Sequence, residues 1–338
     1  MSDLARPMPI TETSSALDAA RLAEIRAAGE PMVIRGAKAE WPVVQAGRKG
    51  GAAVVAYLKS MGSARPVSAI AAGPEEGGRF FYNEDMSGMN FVRGQGRLDL
   101  FLDDLLRAAE MGDPPALAVQ SEVIPEIMPG FTTANGMDIL PQVQPRIWIG
   151  NAIRVAPHYD VKENIAVCIA GRRRFTLFPP EQIANLYPGP FESTPAGTPV
   201  SMVDMAAPDT ARFPRFAEAM EHAREATLEP GDAIYIPYCW WHGVESLDPV
   251  SVLVNYWWTE GAPAGAGGPY DALLHALMAI RPLPEDQRKV WRDWFDYYVF
   301  ETSGDPSAHL PPQAKGVIGP PDPQRFAQMR QMLRQVLG

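Results

Sequence analysis

Cysteine is scarce in this chain. Its 338 residues include only two cysteines, Cys168 and Cys239, and each lies inside an apolar run. Two such thiols do not make a disulfide framework, and buried reduced thiols are typical of a reducing compartment, so we expect a cytoplasmic protein. Neither cysteine has a sequence neighbour that would activate a thiolate. Inert buried thiols are therefore expected rather than nucleophiles.

Long apolar runs are also absent. No stretch reaches the ~18 consecutive apolar residues that cross a bilayer. Residues 1–4 lack the basic segment and the apolar run with which a signal peptide begins. We therefore expect neither export nor a membrane anchor.

Positive charge is in deficit. Lysine and arginine total 30 against 40 acidic residues, which gives a net charge of −10. A field of this sign repels phosphate backbones, so general nucleic-acid binding is not expected. The chain is rich in turn-forming residues, with 34 prolines and 29 glycines. This abundance argues against a helical bundle and favours a loop-rich fold that contains β-structure.

The chain divides into three zones without internal repeats. We expect a mixed helix and strand region at 1–115 packing on a core at 116–260, an insertion at 188–224, and a helical region at 261–338. Amphipathic patterns predict helices at 14–28, 51–61, 98–111 and 324–337, and a short strand at 31–34. Short β-branched and aromatic runs, each bounded by turn residues, predict strands at 147–149, 165–169, 175–178, 233–236 and 250–257. Their rhythm is typical of an antiparallel sandwich or barrel.

Three residues of the middle zone form a candidate metal site. His158 and Asp160 are two positions apart, so in an extended strand both side chains point to the same face. His242 is the histidine that lies in another β-run of this zone, and we expect it to be the third ligand. Two imidazoles and one carboxylate leave adjacent coordination positions free, an arrangement that suits non-haem Fe(II). The spacing alone is a weak indication, because a His-x-Asp pair arises often by chance. The remaining histidines, interpreted as surface or structural, are His222, His275 and His309.

A series of short motifs runs through the middle zone in a fixed order. They are Trp148-Ile149-Gly150, Pro157-His158-Tyr159-Asp160, Asn164, the segment 171–180, Leu186-Tyr187-Pro188, the segment 230–237, Trp240-Trp241-His242 and Asn255-Tyr256-Trp257. In these motifs the segment 147–258 resembles the JmjC-like, cupin-type (cupin-8) 2-oxoglutarate oxygenases. Within them it is most similar to the branch that contains the asparaginyl hydroxylase inhibiting hypoxia-inducible factor.

The resemblance implies a fold and an activity. The fold would be mainly β, a double-stranded β-helix with helical N-terminal and C-terminal additions. His158, Asp160 and His242 would hold Fe(II) at its mouth. In this family 2-oxoglutarate and O₂ are cosubstrates, and succinate and CO₂ form as a substrate is hydroxylated. The substrate here would be an unidentified protein side chain or small molecule.

The resemblance also assigns residues to the cosubstrate. The basic residue that pairs with the distal carboxylate of 2-oxoglutarate falls on Arg173, whose planar guanidinium matches a carboxylate. Arg172 and Arg174 are expected to face the other side of the strand. Asn164 and Asn255 fall where relatives place asparagines near the cosubstrate and the iron.

Two positions depart from the pattern. Val155 and Ala118 stand where the relative has hydroxyl-bearing residues that help to bind the distal carboxylate. Arg173 then compensates, or another oxo-acid binds, or cosubstrate affinity is low. Two further alternatives stay open: a catalytically silent barrel used for binding or scaffolding, and a cupin isomerase or lyase that uses another metal such as zinc or manganese.

The C-terminal region carries aromatic residues at helical spacing. Trp291, Trp294 and Phe295 lie on one apolar face, which needs a partner surface. The region resembles, in placement, the dimerisation helices of relatives. We therefore expect a homodimer through the C-terminal helices.

Overall fold

The computed structural model describes residues 4–14, 16–63, 65–259 and 266–337. The chain forms two compact units, Met1–Thr259 and Glu260–Gly338. Among the residues described, no helix combines the length and the apolar character that a transmembrane segment requires.

The first unit is built on two β-sheets. In the described residues the strands are β1 Met8–Pro9, β2 Thr11–Thr13, β3 Met32–Ile34, β4 Val67–Ala72, β5 Arg79–Phe80, β6 Val92–Gly96, β7 Ala116–Val123, β8 Pro145–Gly150, β9 Arg154–Tyr159, β10 Glu163–Ala170, β11 Arg173–Phe178, β12 Arg224–Leu228, β13 Ala233–Ile236, β14 Trp241–Ser246 and β15 Ser251–Trp258. One sheet has the order β1-β12-β11-β14-β9-β5, and the other β2-β3-β13-β10-β15-β8-β7-β4-β6.

The two sheets contain the predicted barrel. Four strands of each sheet, β12-β11-β14-β9 and β13-β10-β15-β8, are antiparallel neighbours. They form the double-stranded β-helix core. The predicted mainly β fold with helical additions is therefore confirmed.

Helices flank the sheets. In the described residues they are α1 Ala19–Ala28, α2 Pro42–Arg48, α3 Gly51–Ser60, α4 Leu98–Ala109, α5 Ile124–Ile127, α6 Phe131–Ala134, α7 Phe216–Glu221, α8 Pro269–Ala279, α9 Glu285–Tyr298 and α10 Pro323–Leu337. The predicted helices are present with shifted ends. The helix expected from residue 14 begins at Ala19, because the Asp18 side chain accepts a hydrogen bond from the Arg21 N–H and caps it.

Strand β10 of the nine-stranded sheet is buried on both faces. Ile165, Val167 and Ile169 belong to a core cluster that also contains residues of α1 to α4. Ala166 and Cys168 point to the opposite face and pack in the barrel interior. A strand buried on both faces has a continuous apolar sequence, as β10 has. The N-terminal helices therefore pack on the outer face of the nine-stranded sheet, and its inner face lines the barrel interior.

The second unit contains α8, α9 and α10. In the described part of these helices no residue is fully buried.

The predicted homodimer stays a prediction. We expect light scattering of the full chain to give the mass of two chains, and Trp294→Glu to give the mass of one. A single-chain mass for the wild type at the same concentration would contradict the dimer.

Candidate metal centre

Two histidines face each other across a pair of strands. His158 on β9 lies directly opposite His242 on β14 in the antiparallel register. Residues directly opposite point to the same face, with Cβ atoms about 4.5–5.5 Å apart. The centroids of the two imidazole rings are 4.3 Å apart.

Asp160 completes a cluster of three. It follows the end of β9, two positions after His158, and its Oδ2 lies 3.6 Å from Nε2 of His242. One ligand atom from each of the three residues lies within 4.8 Å of the others. The structure thus brings together the three residues that the sequence singles out for a metal.

Backbone carbonyl groups fix both imidazole rings. Nδ1 of His158 lies 3.0 Å from the carbonyl oxygen of Ala156, and Nδ1 of His242 lies 3.0 Å from that of Trp240. A carbonyl oxygen only accepts, so each Nδ1 carries the proton and donates. In the neutral form of such a ring, the lone pair is on Nε2. A metal-binding histidine is held in the same way by the hydrogen bond of its other nitrogen.

The protonation states suit a cation. Burial, together with the neighbouring His158, lowers the pKa of His242 to about 4, so its ring is neutral near pH 7. The contact between His242 and Asp160 is then not an ion pair. Oδ2 of Asp160 is buried and, within the part of the chain that the structure describes, has no hydrogen-bond partner. A buried carboxylate oxygen without a partner is costly, and a divalent cation would satisfy it. The residues present therefore fit a metal ion.

The lowered pKa predicts a pH dependence of stability. The unfolded chain protonates His242 near 6.5 and the folded one near 4, so the unfolded state binds more protons between these values. Stability without metal falls as the pH drops through this window, by about 2 kcal/mol between about pH 7 and pH 5. Urea unfolding at both pH values measures it. Over the same pH interval, the free energy of unfolding of the His242→Gln variant should fall by about 2 kcal/mol less than that of the wild type. Equal losses of stability in the two proteins would contradict the prediction.

A turn between β13 and β14 connects two of the ligands. Cys239 has a φ of 60°, which is in the left-handed region. Its N–H donates to the carbonyl oxygen of Asp160 at 3.0 Å. The next residue, Trp240, supplies the carbonyl that fixes His242. Burial raises the pKa of the Cys239 thiol. The position of Cys239 matters through its backbone, a role that the sequence did not indicate.

Substitutions at Cys239 test this turn. A β-branched residue is unfavourable at positive φ, whereas glycine is not. We expect Cys239→Val to lower the free energy of unfolding by about 2 kcal/mol relative to Cys239→Gly. It should also weaken Mn(II) binding by about tenfold relative to Cys239→Gly, because the carbonyls that orient the ligands move. Urea unfolding and metal titration measure both effects. Equal behaviour of the two variants would contradict the role of the turn.

One cavity contains the cluster and the predicted cosubstrate residues. Its volume is about 580 Å³. The predicted site residues that line it are His158, Asp160, Asn164, Arg173, His242 and Asn255.

Arg173 lies in the interior, at a distance from the histidines. Leu177 of β11 is directly opposite His242, and Arg173 is four positions earlier on the same strand. It therefore points to the same face, about 13 Å along the strand. Its side chain is only 5% exposed, and its Nε donates to Ser251 Oγ at 2.8 Å. In the described part of the chain it forms no ion pair. Burial lowers its pKa to about 10, so it is charged near pH 7.

The neighbours of Arg173 face outward, as predicted from the alternation of a strand. Arg172 pairs with Asp248 at 2.9 Å and Arg174 pairs with Glu245 at 3.4 Å. Arg173 is thus the one member of the triplet whose charge faces the cavity.

The two asparagines form a small network in the cavity wall. Asn255 accepts a hydrogen bond from Trp148 Nε1 at 2.9 Å and donates to Asn164 Oδ1 at 3.3 Å. These bonds fix which way each amide faces. In the described residues, the Asn164 amide nitrogen has no acceptor, and Asn164 lines the cavity.

The two departures from the family pattern lie in different places. Val155 lines the cavity. Ala118 is fully buried in an apolar cluster with Ile70 and Phe80; it does not line the cavity itself, although Phe80 does. The sequence did not single out two basic residues that also line the cavity, Arg93 and Lys162. Arg93 is 65 residues from His158, so no local spacing could connect them.

Comparisons with known proteins identify the family of this chain. The family model described as a cupin-like domain matches residues 18–262. The chain therefore belongs to the cupin-like (JmjC-like) family, and the resemblance found in the sequence is confirmed.

Three relatives show how much of the sequence is shared with individual proteins. The chain is 39% identical over 132 residues to HSPB1-associated protein 1 of Homo sapiens. This match covers 38% of this chain and 25% of that protein. It is 35% identical over 147 residues to Lysine-specific demethylase JMJ31 of Arabidopsis thaliana, and this match covers 42% of this chain and 26% of that protein. It is 36% identical over 113 residues to Lysine-specific demethylase 8 of Xenopus tropicalis, and this match covers 33% of this chain and 24% of that protein. The matches span about a quarter of the length of these relatives.

Proposed function

We propose that this protein is an Fe(II)- and 2-oxoglutarate-dependent oxygenase that hydroxylates a protein side chain or a small molecule. The observation that carries the proposal is Oδ2 of Asp160, which is buried and has no hydrogen-bond partner among the described residues. It lies beside two imidazoles whose Nδ1 atoms contact backbone carbonyl oxygens. Two further findings support it: Arg173, in the same cavity, forms no ion pair with any described residue, and some relatives are named as demethylases.

The three ligands set what can bind. His158, Asp160 and His242 would hold Fe(II) through two nitrogens and one oxygen. The bound iron would supply the oxidising chemistry.

Arg173 would bind the distal carboxylate of 2-oxoglutarate. The Ser251 hydroxyl holds Nε of Arg173, which leaves the terminal nitrogens of the guanidinium for a ligand. A charged hydrogen bond in a buried site is strong, because little water competes for it. The separation along β11 leaves room for a short dicarboxylate between Arg173 and the ligands. Asn164 would donate its free amide N–H to the same molecule.

The site also limits access of water. His158 is 8% and His242 4% exposed. Apolar side chains, including Phe175, Ile236 and Leu253, line the cavity around them. The chain would thus orient the cosubstrate in a partly dry environment, in which electrostatic interactions are stronger.

Anaerobic titration with Fe(II) and 2-oxoglutarate tests the proposal. We expect a charge-transfer absorption band when both are present, and succinate formation after air is admitted. Absence of the band with both ligands would contradict the oxygenase and favour a binding protein or another metal. A band undiminished in Arg173→Ala would contradict the assignment of Arg173 alone.

A further inference from the structure

The cavity is basic in an acidic protein. The chain has a net charge of −10. The charged residues that line the cavity are nevertheless three basic ones, Arg93, Lys162 and Arg173, and one acidic one, Asp160. Asp160 belongs to the proposed metal ligands, whose charge the cation would balance. A cleft lined by charges of one sign concentrates ligands of the opposite sign.

Two of these basic residues are open to solvent. Arg93 and Lys162 are both exposed, whereas Arg173 is buried. In the described residues neither Arg93 nor Lys162 forms an ion pair. Lys162 Nζ donates to the neutral hydroxyl of Thr259 at 2.8 Å. Arg173 accounts for the cosubstrate carboxylate, so two cations remain for the substrate.

Arg93 also lies on an open sheet edge. Strand β6 is the last strand of the nine-stranded sheet, and β4 is its neighbour on the inner side. All of its residues are exposed, and a side chain built at Gly94 or Gly96 would meet only open space. An edge strand presents unpaired N–H and C=O groups to another extended chain.

The register places Arg93 on the face that an added strand would share with the cavity. Arg93 is directly opposite Ile70 of β4, which is buried. Side chains directly opposite on neighbouring strands stand about 4.5–5.5 Å apart at Cβ. A strand added to β6 would therefore bring an inner-face side chain next to Arg93.

We propose that the substrate of this site is an acidic polypeptide segment. It binds in extended form along the free edge of β6, and its carboxylates contact Arg93 and Lys162. This inference rests on the proposed oxygenase function and names its substrate class. A polypeptide is favoured over RNA, because an extended peptide provides the alternating N–H and C=O groups that a strand edge pairs with.

Fluorescence anisotropy with defined peptides tests the proposal. The protein is the full chain, anaerobic, with Fe(II) and 2-oxoglutarate. The probes are labelled twelve-residue peptides of alternating Glu and Thr, the matching Gln and Thr peptide, and an oligouridylate of equal charge. We expect the Glu peptide to bind at least tenfold more tightly than the Gln peptide and the oligouridylate. Salt should weaken its binding.

Variants locate the contact. Arg93→Glu and Lys162→Glu should each weaken binding of the Glu peptide by roughly tenfold. Arg97→Glu is the matched control, since Arg97 follows β6 directly, pairs with Asp99 and does not line the cavity. It should leave the affinity unchanged. Equal effects of the three substitutions would overturn the proposal.

Backbone methylation tests the strand pairing. In an extended peptide, alternate N–H groups point to opposite sides. Methylating one alternating set should abolish binding of the Glu peptide, and methylating the other set should not. Equal binding of both methylated peptides, or equal binding of the oligouridylate, would overturn the proposal. The charge-transfer band in the same samples reports the metal and the cosubstrate independently, so failure of this proposal is distinguishable from failure of the oxygenase function.

Discussion

Replacing Asp160 with alanine is expected to lower Fe(II) affinity by more than about 100-fold, because even a group that only supports a ligand contributes 10- to 100-fold. Succinate formation should then be lost. Oδ2 of Asp160 has no hydrogen-bond partner among the described residues, so the metal-free variant should be at least as stable as the metal-free wild type. Metal titration followed by thermal unfolding, with and without Mn(II), measures both effects.

The stability comparison separates a metal ligand from a structural carboxylate. Mn(II) should raise the melting temperature of the wild type and not that of Asp160→Ala, since only a state that binds the ligand is stabilised by it. Asp248→Ala is a control, because Asp248 pairs with Arg172 outside the cavity. It should keep the response to Mn(II). A metal-free Asp160→Ala protein that is strongly destabilised would show that Asp160 is structural.

Replacing Arg173 with methionine is expected to have two opposite effects. Affinity for 2-oxoglutarate should fall by about 30-fold or more, since losing one partner of a buried charged pair costs about 2–5 kcal/mol. The free energy of unfolding of the ligand-free protein should rise, because a buried charge without a counter-charge is removed. Arg173 is 5% exposed and forms no ion pair in the described residues. Titration of the charge-transfer band and urea unfolding measure the two effects.

Arg174→Met is the matched control for this prediction. Arg174 is adjacent on β11 but faces outward and pairs with Glu245. We expect it to leave 2-oxoglutarate affinity unchanged. If Arg173→Met lost no affinity, or if both variants lost it equally, Arg173 would not be the carboxylate partner.

Local sequence patterns were sufficient for much of the fold. The continuous apolar run in β10 and the β-branched run in β15 predicted strands, because a buried strand needs such residues on both faces. The spacing of His158 and Asp160 predicted a shared face, and the structure brings their side chains together. The family motifs pointed to Arg173, which lines the same cavity.

Long-range register could not be predicted from spacing. His242 lies opposite His158 because β14 pairs with β9, and 84 residues separate the two positions in the chain. The positive φ of Cys239 has no sequence signal either, since cysteine does not favour that conformation. Arg93 reaches the cavity from an exposed edge strand, which composition alone does not distinguish from a surface loop.

The most direct test of the central claim is a crystal structure of the chain with Mn(II) and 2-oxoglutarate, with anomalous scattering to locate the metal. We predict one ion bonded to Nε2 of His158, Nε2 of His242 and a carboxylate oxygen of Asp160. Its other positions should be open to 2-oxoglutarate, whose distal carboxylate contacts Arg173. An ion elsewhere, or one fully coordinated by protein side chains with no room for the cosubstrate, would contradict the account.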